Sequence, residues 1–347
     1  MTEYSPGMSN TQYWINRSIE IEKAMWKRGD KAEKELDKIL KKAFFEITRD
    51  TDAFLHRYAT DNNLTLQQAE QLLSPIELSD YRSRMNELLK MGKETNNPFA
   101  MVEIQKLAAQ SKINRLQALL NEIDMQLNML SINQQMVMEE FLTDVTTESY
   151  YKTVYNAQRF ANSMGSAFAK INKEAVMKVI TYPWSGSMFS ERIWSNKRKL
   201  ITAIKETLTL GLVRGTSTQE MTRQLRDKLN VSYFNANRII RTEANYVMNE
   251  GHAKGYEAVG VEQYQFLATL DKRTSEVCGK LDGKVFDLAD RQVGVNYPPT
   301  HPHCRSTVIP HFPQDENATR TARNKEGKNI HVPATMTYTE WKERYAS

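Results

Sequence analysis

Residues that build secreted, membrane-spanning or loop-rich proteins are scarce in this sequence. Its 347 residues include two cysteines, too few for a disulfide scaffold of the secreted type, so free thiols or one metal site are expected. No stretch approaches the roughly 20 uninterrupted apolar residues of a membrane helix, and the N-terminus MTEYSPGMSNTQYWIN has no apolar signal core. These absences predict a protein without a membrane span that is made and kept in a cytoplasm.

Glycine and proline are scarce as well. The chain has 14 glycines and 10 prolines, which favours long helices over turn-rich structure. Its length exceeds what one hydrophobic core usually organises, so two or three units are expected. With 40% hydrophobic and 26% charged residues, the composition is otherwise ordinary for a globular protein.

The N-terminal half contains a series of helical segments with few breaks between them. Thr65 followed three residues later by Gln68 has the pattern of a capping box. Further breaks fall at Ser74-Pro75 and within MGKETNNP. Residues 99–164 contain neither Gly nor Pro, so a helix of up to roughly 100 Å is expected at about 1.5 Å per residue.

Apolar residues in this last segment repeat with the alternating three- and four-residue steps of a heptad. Such a seam, here spanning residues 109–141, is typical of a helical hairpin or of contact with a partner helix. It consists of Ala109, Ile113, Leu116, Leu120, Ile123, Leu127, Leu130, Gln134, Val137 and Phe141. The methionines nearby are expected to give adaptable packing on another protein rather than a cofactor site; they are Met125, Met129, Met136 and Met138. Residues 1–180 are therefore predicted to be an elongated helical docking region with a coiled-coil-like long helix.

A change of composition in TYPWSGSMFSERIW, residues 181–194, marks the expected domain boundary. Two short helices and an amphipathic helix ending near Gly255 or Gly260 follow. The alternating apolar residues of EQYQFLATLD predict a strand, Asp-Gly in LDGKVF predicts a turn, and RSTVIPHF predicts a closing strand. The fold class is thus mainly α with a small α+β domain at residues 186–313, and residues 314–347 are expected to be a polar tail that serves as an arm or docking segment.

Positive charge is concentrated in one segment, although the net charge of the chain is only +5. Residues 191–241 carry eleven Lys or Arg against four Asp or Glu, a local charge of +7. Such a face attracts phosphate backbones without sequence specificity, and a solvated helix surface is the alternative. The candidate DNA contacts are Arg192, Lys197, Arg198, Lys199, Arg223, Arg226, Lys228 and Arg238.

One short stretch, residues 269–306, holds both cysteines and two of the six histidines. Cys278, His301, His303 and Cys304 offer the atom types that zinc prefers. Their spacing fits no strong zinc pattern, however, and two histidines two residues apart on an extended segment tend to point to opposite sides. The alternatives are a pair of buried thiols, one disulfide, or a thiolate activated by a histidine.

The order of short motifs in the C-terminal half resembles one known family. IIRTEANYVMNEGHAKGYEAVGV is followed by Asp-x-Arg-Thr, Cys-x-x-Leu-Asp-Gly and Pro-Pro-x-His-Pro-x-Cys-Arg, as in the phage head-morphogenesis proteins related to Mu protein F and SPP1 protein 7. The resemblance covers residues 186–313. It implies a minor capsid component of the virion, assembled in the host cytoplasm and associated with the portal vertex. Portal, capsid or scaffolding proteins would be its partners, and it would contact or accompany the packaged DNA.

The resemblance also marks a set of polar residues, namely Arg241, Thr242, Glu243, Asp271, Arg273, Thr274, Asp282, Gly283 and Arg305. They are expected to tie loops together, with an active centre of nuclease or transferase type as the alternative. Many relatives have further cysteines where this chain has Ser275 and Ser306, so their four thiols could bind zinc or form two bridges. The family is not known for enzymes, but related domains fused to toxin modules keep open a metal- or thiol-dependent enzyme acting on nucleic acid, or a toxin-like effector.

Overall fold

A computed structural model describes residues 10–59, 64–94, 114–160, 170–311 and 319–346. It is mainly α-helical with a few short antiparallel strands toward the C-terminus, as predicted. The helices are α1 Asn10–Tyr58, α2 Leu66–Ala69, α3 Pro75–Glu94, α4 Arg115–Phe160, α5 Lys173–Ile180, α6 Phe189–Arg214, α7 Thr218–Ala258, α8 Glu276–Leu281 and α9 Tyr338–Trp341. The strands are β1 Gln263–Leu267, β2 Val285–Asp287, β3 Thr307–Pro310, β4 Thr319–Arg323 and β5 Asn329–Pro333. Within these residues, no helix is both long and apolar enough to cross a membrane.

Helix ends in the N-terminal half follow local capping chemistry. At Thr65 the hydroxyl accepts the N–H of Gln68 at 3.3 Å, and the Gln68 side chain accepts the N–H of Thr65 at 3.0 Å. The predicted capping box is therefore confirmed. Pro75 occupies the first position of α3, where its missing N–H has no intrahelical partner to lose. The start of the helix predicted at residues 99–164 lies outside the described residues.

Contacts divide the chain into two compact units, and neither is continuous in sequence. The helical unit comprises residues 32–138 and 190–237, and the motif unit comprises residues 1–31, 139–189 and 238–347. Several helices therefore contribute residues to both. These two units are defined by contacts and not by chain order. The division into consecutive domains along the sequence therefore remains a prediction.

In the helical unit the predicted heptad seam lies in the core. Val137 is half-buried, and five other apolar members in this unit are buried and pack with leucine and isoleucine side chains of α1, α6 and α7. They are Leu116, Leu120, Ile123, Leu127 and Leu130. Ala109 and Ile113 lie outside the described residues. Helices of this chain thus cover the seam between Leu116 and Leu130, and those residues need no partner helix.

In the motif unit a small antiparallel sheet has the strand order β2-β1-β3. Tyr264 and Phe266 of β1 are fully buried, which confirms the alternating strand pattern. Gly283 adopts a φ of 78° at the predicted Asp-Gly turn, a conformation that glycine tolerates best. Helix α7 lies close to α4, because a Cβ added at Gly251 would come within 2.7 Å of the Ser149 side chain.

The segment from residue 319 onward contains strands and a short helix that pack on the motif unit. Strands β4 and β5 form a hairpin, and Ala322 of β4 bridges to Leu270. Trp341 of α9 is fully buried. Gly279 of α8 leaves space that the Tyr338 ring occupies, since a Cβ there would lie 2.3 Å from the ring. Few residues of this segment are apolar, which led to the expectation of a polar arm, but Ala322, Val332, Met336 and Trp341 form a small core with Leu270.

Candidate functional site

Three of the four candidate metal ligands converge on one point of the motif unit. Cys278 lies in α8, whose N-terminus is capped by Ser275 through the N–H of Cys278 at 3.2 Å. Cys304 follows a tight turn in which its N–H donates to the carbonyl of His301 at 3.2 Å. The Cys278 sulfur consequently lies 3.7 Å from the Cys304 sulfur and 3.3 Å from Nε2 of His301.

The two thiols are buried and are not joined by a disulfide bond. A disulfide has a sulfur–sulfur distance of about 2.05 Å, much shorter than the 3.7 Å found here, and both cysteines are free. Their mutual hydrogen bond lowers the pKa of Cys304 to about 6 and raises the pKa of Cys278 to about 12. The pair therefore favours one thiolate that is stabilised by the neighbouring thiol.

The orientation of the His301 ring is set by its other nitrogen. Nδ1 lies 2.8 Å from the carbonyl oxygen of Pro302. Because a carbonyl can only accept, this bond places the ring proton on Nδ1 and leaves the Nε2 lone pair directed toward Cys278. The three ligand atoms all lie within 4.8 Å of one another, so Cys278, His301 and Cys304 could together hold a metal ion.

His303 does not join this cluster of ligand atoms. Among the described residues, His303 is the one non-glycine residue with a positive φ, which is 59°. Its backbone N–H donates to Oγ1 of Thr242 at 3.1 Å. Its side chain is exposed. The two histidines therefore separate, as the sequence spacing suggested, and only one of them reaches the thiols.

An ion pair between Asp271 and Arg305 holds the loop that follows β1. Asp271 accepts both guanidinium nitrogens of Arg305 at 2.5 and 2.7 Å and the backbone N–H of Arg273 at 2.8 Å. Burial acts to raise the pKa of Asp271, but the bonds to Arg305 and Arg273 outweigh it, so the pKa lies below its usual value. Thr274 donates its hydroxyl to the carbonyl of Thr269 in the same loop. The motif Asp-x-Arg-Thr thus has a local partner for each polar group, although the Arg273 head itself is largely exposed.

A second ion pair, between Asp282 and Arg320, was not predicted from the sequence. Asp282 is fully buried, accepts the N–H of Ala268 at 2.8 Å, and receives the guanidinium of Arg320 at 3.0 Å. Arg320 is itself 4% exposed. No short-range signal could have identified this pair, because 38 residues separate its members and Arg320 lies in a segment that was expected to be a tail.

The Arg-Thr-Glu motif of α7 also has partners within the motif unit. The Arg241 guanidinium lies 5.7 Å from the centre of the Trp26 ring, within reach of a cation–π contact. Thr242 donates to the carbonyl of Arg238 at 2.7 Å. Glu243 is buried and accepts the indole N–H of Trp184 at 3.0 Å.

The candidate DNA contacts separate into buried and exposed residues. Lys197 is 4% exposed and its ammonium lies 2.5 Å from Asp124, so it is not available to DNA and is withdrawn from that set. Arg192 is half-buried. The remaining candidates are exposed, namely Arg198, Lys199, Arg223, Arg226, Lys228 and Arg238. Arg223 already pairs with Glu220 and Asp227 of its own helix.

An activated-thiol site would need room for a substrate beside the sulfur atoms. The cavity that adjoins Cys278 and His301 has a volume of about 20 Å³, which is close to what one water molecule requires. Thr274, Ser275 and Arg305 line its other sides. This space accommodates a water molecule and is far below the few hundred cubic ångströms of a typical substrate pocket.

Comparisons with known proteins point to phage heads. The family described as Phage Mu protein F like protein matches residues 202–309. The minor head protein GP7 of Bacillus phage SPP1 is 23% identical over 301 residues, which cover 82% of this chain and 94% of GP7. No solved structure matches the chain.

Two bacterial proteins are also similar over shorter shares of their length. A protein of Enterococcus faecalis named NAD(+)--arginine ADP-ribosyltransferase EFV is 23% identical over 240 residues, which cover 64% of this chain but 48% of that protein. An uncharacterized protein of Haemophilus influenzae is 22% identical over 130 residues, or 38% of this chain and 29% of its own length. The chain therefore spans about half of the first and under a third of the second.

Proposed function

We propose, from the premise that this chain belongs to the phage head-morphogenesis family, that it is a minor structural protein of a tailed-phage virion. The observation that carries this proposal is the similarity to GP7, since 94% of that minor head protein aligns with this chain. The alignment extends well beyond residues 202–309, which match the family model. The helical part of the chain is therefore included in the likeness, and the proposed role applies to the whole chain.

We further propose that the portal protein is the partner during head assembly, alongside other capsid or scaffolding proteins. The helical unit presents a fitting surface. Met129 and Met136 of α4 are 40% and 57% exposed, and their separation of seven residues places them on the same stripe of the helix. Methionine side chains adapt to the shape of a partner.

Co-purification with the portal protein of the same phage tests this assignment. The full chain should be retained by tagged portal or by procapsids, and Met129→Glu with Met136→Glu should weaken retention. Val231→Asp, a charge introduced at an exposed apolar position of α7, serves as the matched control. Failure of the unaltered chain to bind portal or procapsids would remove the main support for this role.

We also propose that the chain contacts DNA without sequence specificity. Arg198 and Lys199 of α6 are exposed, while Leu200 and Ile201 beside them are buried in the helical core. The basic side chains are thus free to meet phosphates.

Binding of duplex DNA should weaken as the salt concentration rises. The double variant Arg198→Glu with Lys199→Glu should flatten that salt dependence by about 0.9 per lost phosphate contact. Lys34→Glu, an exposed lysine of α1, is the control; an equal effect there, or salt-independent binding, would contradict a DNA-binding face.

An enzymatic role is the alternative, and one observation favours it. The similar Enterococcus protein carries the name of an ADP-ribosyltransferase, yet about half of its length has no counterpart here. That name describes the whole Enterococcus protein, of which this chain spans 48%. Incubation of the purified chain with labelled NAD and an arginine-rich acceptor protein discriminates the two roles; transfer of label would favour the enzyme, and we expect none.

In a head protein the α+β part of the motif unit must remain folded through assembly. A metal ion held by Cys278, His301 and Cys304 would reinforce it by linking α8 to the loop before β3. Reinforcement of this kind is common where a small domain has little apolar core of its own.

A further inference from the structure

The sulfur atoms and the histidine are arranged with the dimensions of a tetrahedral metal site. Zinc bonds thiolate sulfur at about 2.3 Å and imidazole nitrogen at about 2.0–2.1 Å, so tetrahedral geometry separates two sulfurs by about 3.8 Å and a sulfur and a nitrogen by about 3.6 Å. The corresponding distances are 3.7 Å between Cys278 and Cys304 and 3.3 Å between Cys278 and His301. The Cys304 sulfur and Nε2 of His301 lie within 4.8 Å of each other, so this third distance would adjust when an ion binds.

The hydrogen bond behind His301 is the arrangement that a ligating histidine requires. Metal-bound imidazoles almost always donate their second N–H to a carbonyl or carboxylate, which fixes the ring and its tautomer. Nδ1 of His301 meets the carbonyl of Pro302 at 2.8 Å. The lone pair of Nε2 faces the Cys278 sulfur at 3.3 Å, so it accepts the thiol proton in the metal-free site and is placed to bind an ion that replaces this proton.

Burial and charge also suit a divalent ion at this point. Cys278 and Cys304 are 2% and 0% exposed and pack against Phe266 and Ala268. Two thiolates neutralise a divalent cation, so the loaded site carries no net charge into this apolar surrounding. Asp271 is not needed as a ligand, because both of its oxygens are bound by Arg305.

A fourth ligand can come from the small cavity that adjoins Cys278 and His301. Its volume of about 20 Å³ exceeds the minimum of about 10–15 Å³ for one water. Ser275 and Thr274 line it and offer hydroxyl groups to such a water. A protein set of two sulfurs and one nitrogen with a water completes four-coordination.

We propose that Cys278, Cys304 and Nε2 of His301 bind one zinc ion, with water as the fourth ligand. The thiols lose their protons on binding, and the ion links α8 to the loop that leads into β3. This site goes beyond the proposed virion role and does not depend on it. Soft sulfur ligands with one imidazole in tetrahedral geometry favour zinc over calcium or magnesium.

Metal analysis of the purified full chain provides the first test. Protein prepared under reducing conditions and dialysed against metal-free buffer should retain about one zinc per chain, since a structural site stays occupied. Less than about 0.2 equivalents, or iron or copper in place of zinc, would overturn the assignment. A disulfide found by mass after blocking free thiols without reductant would overturn it as well.

Two histidine variants test the ligand set without touching the buried thiols. His301→Ala should weaken retention of zinc against a chelator by at least the ~10–100-fold that loss of an outer-shell partner typically costs. His331→Ala, at an exposed histidine of β5 that does not line the cavity, is the control and should retain zinc as the unaltered chain does. Equal loss in both variants would contradict the proposed ligands.

Cobalt replacement reports on the thiolates directly and does not require a cysteine variant to fold. The cobalt-loaded chain should show the intense sulfur-to-metal charge-transfer absorption of thiolate ligation. Bound cobalt without that absorption would exclude the two cysteines as ligands and would overturn the proposal. Cys304→Ser, where it folds, should diminish the band.

Discussion

The two compact units bury polar groups in different ways. In the motif unit, the buried carboxylates of Asp271 and Asp282 each meet an arginine that comes from a distant part of the chain. In the helical unit, the core is a continuous set of leucine and isoleucine side chains, and Asn128 is fully buried with no hydrogen-bond partner for either amide atom among the described residues. The motif unit thus pairs these buried carboxylates with arginines, whereas the helical unit holds one buried ion pair, Lys197 with Asp124, beside a buried amide without such a partner.

This difference explains where sequence motifs can be recognised. A charged pair requires particular atoms, so residues such as Asp282 and Arg305 cannot be exchanged without leaving a buried charge. A leucine core tolerates exchange among apolar residues of similar volume. The family model matches residues 202–309, which include Asp282 and Arg305 as well as residues 202–237 of the helical unit, whereas the heptad seam lies outside the match.

The sharpest test of the comparison removes one member of a buried pair. Arg320→Ala leaves the Asp282 carboxylate buried without its cation and should lower the free energy of unfolding by about 3–5 kcal/mol. Denaturant unfolding followed by circular dichroism measures the change. Arg223→Ala, which removes an exposed ion pair, is the control and should have no measurable effect; a similar loss in both would mean that burial does not set the cost of breaking an ion pair.

The helical unit should respond to lost volume instead of lost charge. Leu127→Ala removes a buried side chain of the seam and should cost about 2–5 kcal/mol through the cavity it leaves. Leu210→Ala, at a 46% exposed position of α6, should cost far less. If the exposed site proved equally sensitive in denaturant unfolding, the seam would not be the core that the structure shows.

Acid should weaken the motif unit through a buried histidine. His252 is fully buried, its Nδ1 lies 2.8 Å from Oγ1 of Thr153, and burial lowers its pKa from 6.5 to about 4. Between these values the unfolded chain binds a proton that the folded chain does not, so stability is complete above about pH 6.5 and falls as the pH drops toward 4. The loss by pH 4 should be on the order of 3 kcal/mol.

Unfolding experiments at several pH values check this slope. His252→Gln should remove it, while His331→Gln, a change at an exposed histidine of β5, should leave it in place. A slope that persisted in His252→Gln would assign the acid sensitivity to other groups. Asp271 is not one of these, since its lowered pKa means that its contribution is lost only as the pH falls below the usual range for aspartate.

The smallest expected effect concerns the unpaired amide in the helical unit. Asn128→Leu removes two buried polar atoms without partners and should stabilise the chain by about 1–3 kcal/mol, the usual penalty of an unsatisfied buried group. Thermal unfolding would register a higher midpoint. A lower midpoint would mean that Asn128 has a partner in solution, such as a water.

Local chemistry was readable from the sequence because it depends on near neighbours. The capping box at Thr65, the Asp282-Gly283 turn and the alternation in β1 each follow from residues within a few positions of one another. The burial of Leu120 and Leu127 followed from periodicity for the same reason. These features set which elements form.

Pairings over long separations were not readable in this way. Lys197 looked like one more basic surface residue, but its ammonium is buried against Asp124. Arg320 and Trp341 looked like parts of a polar tail, but they complete the packing around Asp282 and Leu270. Charge and hydropathy along the chain do not reveal which residue will meet a partner 38 or more positions away.

The sequence by itself thus determined the helical character, the small α+β part and the family resemblance, because each rests on local pattern or on a specific order of short motifs. Only the tertiary structure decided that His301 rather than His303 faces the thiols, and that Cys278 and Cys304 lie 3.7 Å apart without a bond. The physical reason is that backbone direction after Thr300 and the carbonyl of Pro302 orient these groups. Metal ligation depends on where the side-chain atoms point as well as on residue type, and those directions are set only when the chain has folded.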